Sequence, residues 1–173
     1  MAVFVTAPPA ASALGGAAIA SAYFSDAYST PLKSTDLGIV QIYAALFGHT
    51  PLSMKLLLIA RNWVARLAGL ATPTVEEIMR PTIRAQYQVG DKIGPWPVFA
   101  INADEIVAGR DNRHLDFRLS VMRQADAGAA RVTVSTLCHV HNPAGRIYLF
   151  FIVPFHKIGV RSLINRAVAA GRI

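Results

Sequence analysis

The sequence predicts an α+β fold: a curved antiparallel sheet of about six to seven strands that holds a C-terminal helix, with two helices after the first strand. Two observations predict it. Apolar and polar residues alternate along residues 113–123 and 131–141, which is typical of half-buried strands because side chains switch faces at every residue. Apolar residues recur at helical spacing on both sides of this region, and a sheet with one apolar face needs a helical cover.

Residues 1–21 are predicted to be an irregular segment of small residues. Pro8 and Pro9 interrupt its apolar stretch, and no positively charged residue precedes that stretch. It therefore differs from a secretory signal peptide. No stretch of the chain reaches the roughly 18 consecutive apolar residues of a transmembrane helix. We therefore expect a cytoplasmic protein.

The next part of the chain is predicted to form one strand and two helices. Aromatic residues favour a strand over residues 22–32. Residues 34–36 supply the N-cap of a helix that ends at Gly48, and a second helix begins at residues 50–51 and ends at Gly69. Five apolar residues define the stripe on which this second helix is expected to pack: Leu52, Leu56, Ile59, Trp63 and Leu67.

The middle of the chain is predicted to contain one helical turn and further strands. The turn falls at residues 75–79, within a connector. Alternation over residues 83–89 predicts a short strand. Residues 97–101 and 105–108 are predicted to form a hairpin, joined through residues 102–104.

The C-terminal part is predicted to complete the sheet and then cover it. Residues 142–145 have the composition of a turn, and the apolar, aromatic run at residues 146–153 predicts a third central strand. Pro154 is expected to end that strand, since proline cannot donate to a sheet. Residues 155–170 are predicted to form the last helix.

The register of the central strands follows from their apolar rows. Leu115 opposite Val140 keeps the apolar side chains on one face, and the same register sets Asp116 opposite His139. Extended to residues 146–153, it places Tyr148 beside His139. The expected core comprises six residues: Phe117, Leu119, Val134, Cys138, Leu149 and Phe151.

Composition limits the class of protein. Residues 22–173 are predicted to form a single domain, and the apolar fraction of 53% with 16% charged residues excludes disorder. The single cysteine, Cys138, rules out an internal disulfide and is expected to be buried and inert. His114, His139 and His141 lack a carboxylate or thiolate at a recognisable ligand spacing, so no metal site is predicted.

A series of short segments carries a family resemblance: YFSDAY at 23–28, GDKIGPW at 90–96, DEI at 104–106, HLDFR at 114–118, HN at 141–142, GRIY at 145–148 and PFH at 154–156. In this order they resemble the bacterial family catalogued as domain of unknown function 2867. The order of elements is that of the START-like helix-grip fold, in which a sheet wraps the last helix and encloses a cavity. No glycine-rich dinucleotide motif is present, so no cofactor is implied, and the family supplies no established catalytic residues.

Two sets of side chains are candidates for a functional site. Asp116 could orient His139 as a general base, with Tyr148 beside it, and these three are the catalytic candidates. The alternative is a hydrogen-bonded, partly solvated outer face of the sheet. Three arginines could bind the anionic end of a ligand or be plain surface charges: Arg61, Arg66 and Arg118. The ligand-binding candidates are apolar or aromatic: Phe117, Leu119, Leu149, Phe151, Trp63 and Trp96.

Two classes of function remain open. The first is a binding protein that holds a small hydrophobic molecule in a cavity between the sheet and the C-terminal helix. The second is an enzyme, such as a cyclase or isomerase acting on a polyketide-like or terpenoid substrate in the same cavity. A titratable group that points into the cavity would favour the enzyme.

The basic C-terminus bears on possible partners. Lys157, Arg161, Arg166 and Arg172 have no acidic residue among or after them, a pattern that suits an anionic membrane, a nucleic acid or simply water. We expect the last of these, because the apolar side of the helix is needed to cover the sheet. The sequence thus predicts no nucleic-acid and no membrane partner, while its many apolar residues make a homodimer plausible.

Overall fold

The computed structural model describes residues 3–33, 36–67, 72–82, 84–126 and 129–173. Its strands are β1 (Phe4–Thr6), β2 (Phe24–Pro31), β3 (Lys92–Ile93), β4 (Trp96–Ile101), β5 (Glu105–Asp111), β6 (Leu115–Asp126) and β7 (Ala129–Val140). Its helices are α1 (Gly16–Ser21), α2 (Ile39–Phe47), α3 (Leu52–Leu67), α4 (Val75–Met79) and α5 (Pro143–Ala169).

The predicted fold class is confirmed. All seven described strands form one open antiparallel sheet in the order β1-β2-β7-β6-β5-β4-β3. Two helices, α2 and α3, follow β2, and a long helix, α5, ends the chain. This arrangement is consistent with the helix-grip architecture.

The predicted central register is also confirmed. Asp116 on β6 is the cross-strand partner of His139 on β7, and Leu115 pairs with Val140. The predicted hairpin is present as β4 and β5, and its turn is closed by the amide of Asn102, which donates to the carbonyl of Glu105. Strict alternation was enough to define these pairs, because a slip of one residue would point the apolar side chains towards solvent.

The prediction of a strand at residues 146–153 is wrong, because α5 begins at Pro143 and includes them. Asn142 caps the helix with its side-chain oxygen, which accepts from the amide of Gly145 at 3.3 Å, and proline at the first helical position is preorganised for the helix. Pro154 consequently lies inside the helix and does not end a strand, contrary to the prediction. Tyr148 is therefore not a strand neighbour of His139.

Smaller differences concern the N-terminal half. Residues 1–21 are not wholly irregular, since they contribute β1, which pairs with β2, and the short helix α1. The cap of α2 is Gly38, whose amide donates to the Gln41 side chain, rather than residues 34–36; residues 34 and 35 lie outside the described residues, as does Gly69. Residues 84–89 form no strand, and Ile83 is not described.

The two faces of the sheet are covered differently. One face, the helix-covered face, packs against α2 and α5 around a core that includes Ile42, Leu46, Val121, Val134 and Ile164. The other, the outer face, is covered by the N-terminal segment. There the buried carboxylate of Glu105 accepts hydrogen bonds from the hydroxyls of Ser12 and Ser120 and from the amide of Ala13.

The predicted core is confirmed for most of its members. Leu119, Val134, Cys138 and Leu149 are buried. Phe117 is partly buried, at the edge of the core. Phe151 is 63% exposed, so its predicted burial is wrong. The error has the same origin as the strand error: in a strand, residues 149 and 151 share a face, whereas in a helix they diverge by about 200°.

Three residues of the apolar stripe of α3 and one side of α5 face solvent. Trp63 is 67% exposed, and Leu52 and Leu56 are more than half exposed, although the sequence predicted that they pack. By length and composition α5 could cross a membrane, and α2 with α3 would qualify as one span bent by 86°. Core helices of globular proteins also have these properties, yet only 11% of the most apolar window of α5 is buried.

Candidate ligand-binding cleft

A narrow cleft, which we call the arginine cleft, lies between α3, the start of α5 and the adjoining ends of β4, β5 and β6. Nine residues line it: Arg61, Ala65, Thr72, Trp96, Arg110, Asn112, Leu115, Phe117 and Tyr148. The empty space between them is about 320 Å³ including the open mouth. The part wide enough for water centres is about 30 Å³, which is room for two or three water molecules.

The sheet supplies the aromatic floor of the cleft. Gly94, with a φ of 56°, allows the tight turn between β3 and β4 that presents Trp96. The ring centres of Trp96 and Phe117 are 5.3 Å apart, and the two rings are tilted to each other, an arrangement that aromatic pairs prefer. Arg110 is the cross-strand partner of Phe117. Its guanidinium donates to the carbonyl of Pro95 at 3.0 Å and lies 5.5 Å from the Trp96 ring centre.

The helices supply the opposite wall. Arg61 on α3 donates to the side chain of Asn62 at 2.7 Å, and Asn62 is itself buried and donates to the carbonyl of Pro73. The guanidinium carbon of Arg61 lies 5.2 Å from the ring centre of Tyr148 on α5, a cation–π distance. The second turn of α5 and the middle of α3 are therefore joined at the cleft.

The charge in the cleft is uncompensated. Among the described residues, neither Arg61 nor Arg110 has a carboxylate within ion-pair distance. Desolvation by burial lowers the pKa of the Arg61 guanidinium from its ordinary value to about 10, an effect that the nearby Cys138 partly offsets. Holding a cation partly out of water without a counter-charge raises the free energy of the folded state. Such a cation strongly stabilises an anion that binds beside it.

Within the part of the chain that the structure describes, two buried polar atoms in the same cleft also lack hydrogen-bond partners. They are the hydroxyl of Tyr148 and the side-chain oxygen of Asn112. Buried polar atoms are nearly always hydrogen-bonded, so such atoms call for an explanation. A hydroxyl can both donate and accept, and the amide oxygen accepts. Together with the two guanidiniums they give the cleft four polar groups of different character around an aromatic floor.

The three catalytic candidates do not meet. On the outer face, Asp116 accepts from His141, with 3.1 Å between the carboxylate oxygen and the ring nitrogen, and from the amide of Asn112. His139 contacts the carbonyl of Ala18 in α1 at 3.0 Å. Tyr148 lies in the arginine cleft. The role of these residues as a catalytic row stays a prediction, and their geometry gives it no common pocket.

The ligand-binding candidates are divided among three environments. Phe117 and Trp96 line the arginine cleft. Leu119 and Leu149 are buried in the core, and Trp63 with Phe151 is on the solvent-facing surface. Of the candidate arginines, Arg61 lies in the cleft, Arg66 donates to Thr72 and Pro73, and Arg118 pairs with Asp111.

Sequence reasoning missed Arg110 and Asn112. They stand at the end of β5 and in the following turn, where a lone arginine or asparagine has many ordinary explanations. Their position opposite Phe117, which the sequence had singled out, was the available signal. The contribution of α3 had no such signal, because its approach to α5 is a tertiary contact.

A second buried polar pair lies under α5, apart from the cleft lining. His156 on α5 and Asp26 on β2 are 3.4 Å apart. The second carboxylate oxygen of Asp26 and the hydroxyl of its cross-strand partner Thr136 are buried and have no hydrogen-bond partner among the described residues. Desolvation raises the pKa of Tyr28, and the charge of Asp26 raises it further. This pair joins α5 to the sheet.

Comparison with known families gives one result. The model of a family described as protein of unknown function (DUF2867) matches residues 18–163. The match includes β2 through most of α5, and therefore every residue of the arginine cleft. A search of curated proteins found no match.

Proposed function

Because the chain belongs to the DUF2867 family of proteins of unknown function, we propose its role from the cleft: the protein binds a small hydrophobic ligand that has an anionic end. The ligand lies in the arginine cleft, between the sheet and the first turns of the C-terminal helix. The observation that carries the proposal is the pair of guanidiniums, Arg61 and Arg110, beside aromatic rings without a carboxylate partner in the described chain.

The polar groups support an anionic end. A guanidinium offers a planar fork of donors that matches a carboxylate, and desolvation strengthens the pairing. Arg61 would gain from such a pairing, since burial desolvates its guanidinium and lowers its pKa. The unpartnered Tyr148 hydroxyl would donate to a ligand oxygen, and the Asn112 oxygen would accept from a ligand hydroxyl or amine.

The apolar groups support a flat body. Trp96 and Phe117 present a tilted pair of rings, and Tyr148 stands on the opposite wall. A planar ring fits such a slot better than a branched chain because stacked rings keep contact over their whole faces. The interior has room for only a few water molecules, so a ring enters it only when the Arg61 side chain swings aside and follows the anionic group.

The cleft favours binding over catalysis. A cyclase or isomerase needs a group that transfers a proton at the substrate. Apart from two guanidiniums, the only titratable group in the described lining is the Tyr148 hydroxyl, and the lining contains no carboxylate or imidazole that could exchange a proton with it. The Asp26–His156 pair is buried elsewhere under α5, so the binding function is the one that the arrangement supports.

Two measurements test the proposal. Native mass spectrometry of freshly purified protein should show a retained organic acid that unfolding releases. Titration with aromatic carboxylates should quench Trp96 in a Trp63→Phe variant, whereas the matching carboxamides should not.

Arg61→Met should abolish that quenching, and Arg80→Met, a change at an exposed site outside the cleft lining, should leave it intact. Equal responses to acids and amides, or equal loss in both variants, would refute an anion-selective cleft.

A further inference from the structure

The outer side of α5 exposes a continuous row of large apolar side chains. They recur at helical spacing and each is more than 60% exposed: Ile147, Phe150, Phe151, Phe155 and Ile158. The opposite side of the same helix is buried against the sheet through Leu149, Val160 and Ile164. The helix thus has apolar residues on both sides, and the fold uses only one of them.

The neighbouring helix α3 has a second exposed apolar set: Leu52, Leu56, Leu57 and Trp63. The two helices are in contact. Arg61 lies over Tyr148 near the start of α5, and a β carbon on Gly159 would stand 3.5 Å from Met54. Position 54 of α3 is thus beside the later part of α5, and position 61 is beside its start, so the helices run antiparallel. What we call the apolar surface of the protein is the α5 row together with Leu57 of α3, which is near the side of α3 that contacts α5. Leu52, Leu56 and Trp63 lie about 200° around α3 from Met54 or Arg61, on the side turned away from α5.

Charge is segregated to the same side of the molecule. The chain has no aspartate or glutamate from residue 37 to 75, which includes α2 and α3, or from residue 127 to 173, which includes α5. Arg146, Lys157 and Arg161 are exposed along one edge of the α5 row. Within the described residues, none of the three forms an ion pair.

We propose that the apolar surface of α3 and α5 docks on an anionic lipid bilayer, with the aromatic side chains entering the interface and the basic edge contacting the lipid headgroups. Apolar and aromatic residues beside an unpaired basic row are the features of interfacial helices. The sequence predicted no membrane partner because the apolar side of α5 was expected to be buried against the sheet. The exposed row removes that premise.

The helix lies on the bilayer and does not span it. A spanning α5 would have to leave the sheet, which would uncover Leu149, Val160 and Ile164. A second copy of the chain is a poorer occupant than the bilayer, because a symmetric pair would bring two basic edges together without a carboxylate on these helices to oppose them.

Vesicle binding by the full chain tests the inference. The protein should sediment with vesicles of phosphatidylcholine mixed with phosphatidylglycerol, should do so less as salt is raised, and should not sediment with phosphatidylcholine alone. Phe151→Ser/Phe155→Ser should abolish binding. Arg146→Gln/Lys157→Gln should weaken it by about tenfold or more, since each basic residue near an anionic surface favours binding.

Matched controls separate the surface from general properties of the chain. Val89→Ser removes an exposed apolar side chain elsewhere, and Lys33→Gln/Arg80→Gln removes two exposed charges elsewhere; both variants should bind like the parent. All four variants change exposed side chains and should keep the parent melting temperature.

Three results would overturn the inference: no binding by the folded parent, equal binding by the α5 and control variants, or a parent dimer that Phe151→Ser/Phe155→Ser turns into monomers without vesicle binding in either form.

Discussion

The α carbon of Gly145 in α5 lies against the backbone carbonyl of His114: a β carbon at position 145 would stand 2.3 Å from that oxygen. The first turn of the helix therefore crosses the chain directly before the start of β6, at a distance that only glycine permits. A second glycine of the same helix, Gly159, has ordinary space, with Met54 at 3.5 Å. The two positions give opposite expectations for the same substitution.

Gly145→Ala should destabilise the protein by about 1–3 kcal/mol, because the backbone or the helix must move to admit the methyl group. Gly159→Ala should be neutral or stabilising by up to about 1 kcal/mol, because alanine favours the helix. Urea unfolding of both variants measures the difference. Equal destabilisation by the two changes would contradict the close approach at position 145.

Leu149 and Phe151 should respond oppositely to truncation. Leu149 is 5% exposed and Phe151 63% exposed. Leu149→Ala should cost about 2–5 kcal/mol of unfolding free energy by leaving a cavity, while Phe151→Ala should stay within about 0.5 kcal/mol. Similar losses at both positions in chemical denaturation would point to a strand, in which the two side chains share a face.

Arg61 should lower stability while it supports binding. Its guanidinium is desolvated without a carboxylate partner in the described chain, so Arg61→Met should raise the unfolding free energy by about 0.5–2 kcal/mol. The exposed Arg66 offers the control, and Arg66→Met should change stability by less than about 0.5 kcal/mol. Differential scanning calorimetry decides; a destabilised Arg61→Met protein would mean that the guanidinium holds the fold together.

Cys138 should be inert in the folded protein. Desolvation by burial raises the pKa of its thiol to about 12, and the charge of Asp26 adds to the shift while Arg61 opposes it. Because the folded pKa lies above that of the unfolded thiol, about 8.5, its stabilising contribution is complete below that pH and is lost as pH rises towards 12.

An aromatic disulfide reagent at about pH 8 should therefore label Cys138 only after unfolding in guanidinium. In Cys138→Ala, unfolding free energy should fall less steeply with pH above about 9 than in the parent. Rapid labelling of the native chain would contradict the buried position.

The sheet was largely predictable because its signals are local. Alternation in β6 and β7 allows one register, and that register is found, with Asp116 opposite His139. The apolar run at residues 146–153 was not predictable in this way, since its aromatic and branched residues suit a strand as well as a helix. The helix is favoured by Asn142 as cap, by Pro143 at the first position and by the close approach of Gly145 to β6.

The arginine cleft was predictable only in pieces. Trp96, Phe117 and Arg61 were each singled out from the sequence, for separate reasons. Their convergence depends on how α3 and α5 pack on the sheet, and the misassigned strand placed Tyr148 on the wrong face. Side chains from five elements, spread from residue 61 to residue 148, leave no spacing to recognise.

Strand order has a consequence for how the chain acquires its structure. From β3 to β7, each strand pairs with its successor, so these hairpins close short loops. β2 pairs instead with β7, with Phe24 opposite Cys138, and such a distant closure has a larger entropic cost. During synthesis, β2 leaves the ribosome early, and apart from the short strand β1 it has no strand partner until β7 follows. Its apolar residues therefore lack their β7 neighbours for most of synthesis, a state in which unpaired strand edges are prone to aggregate.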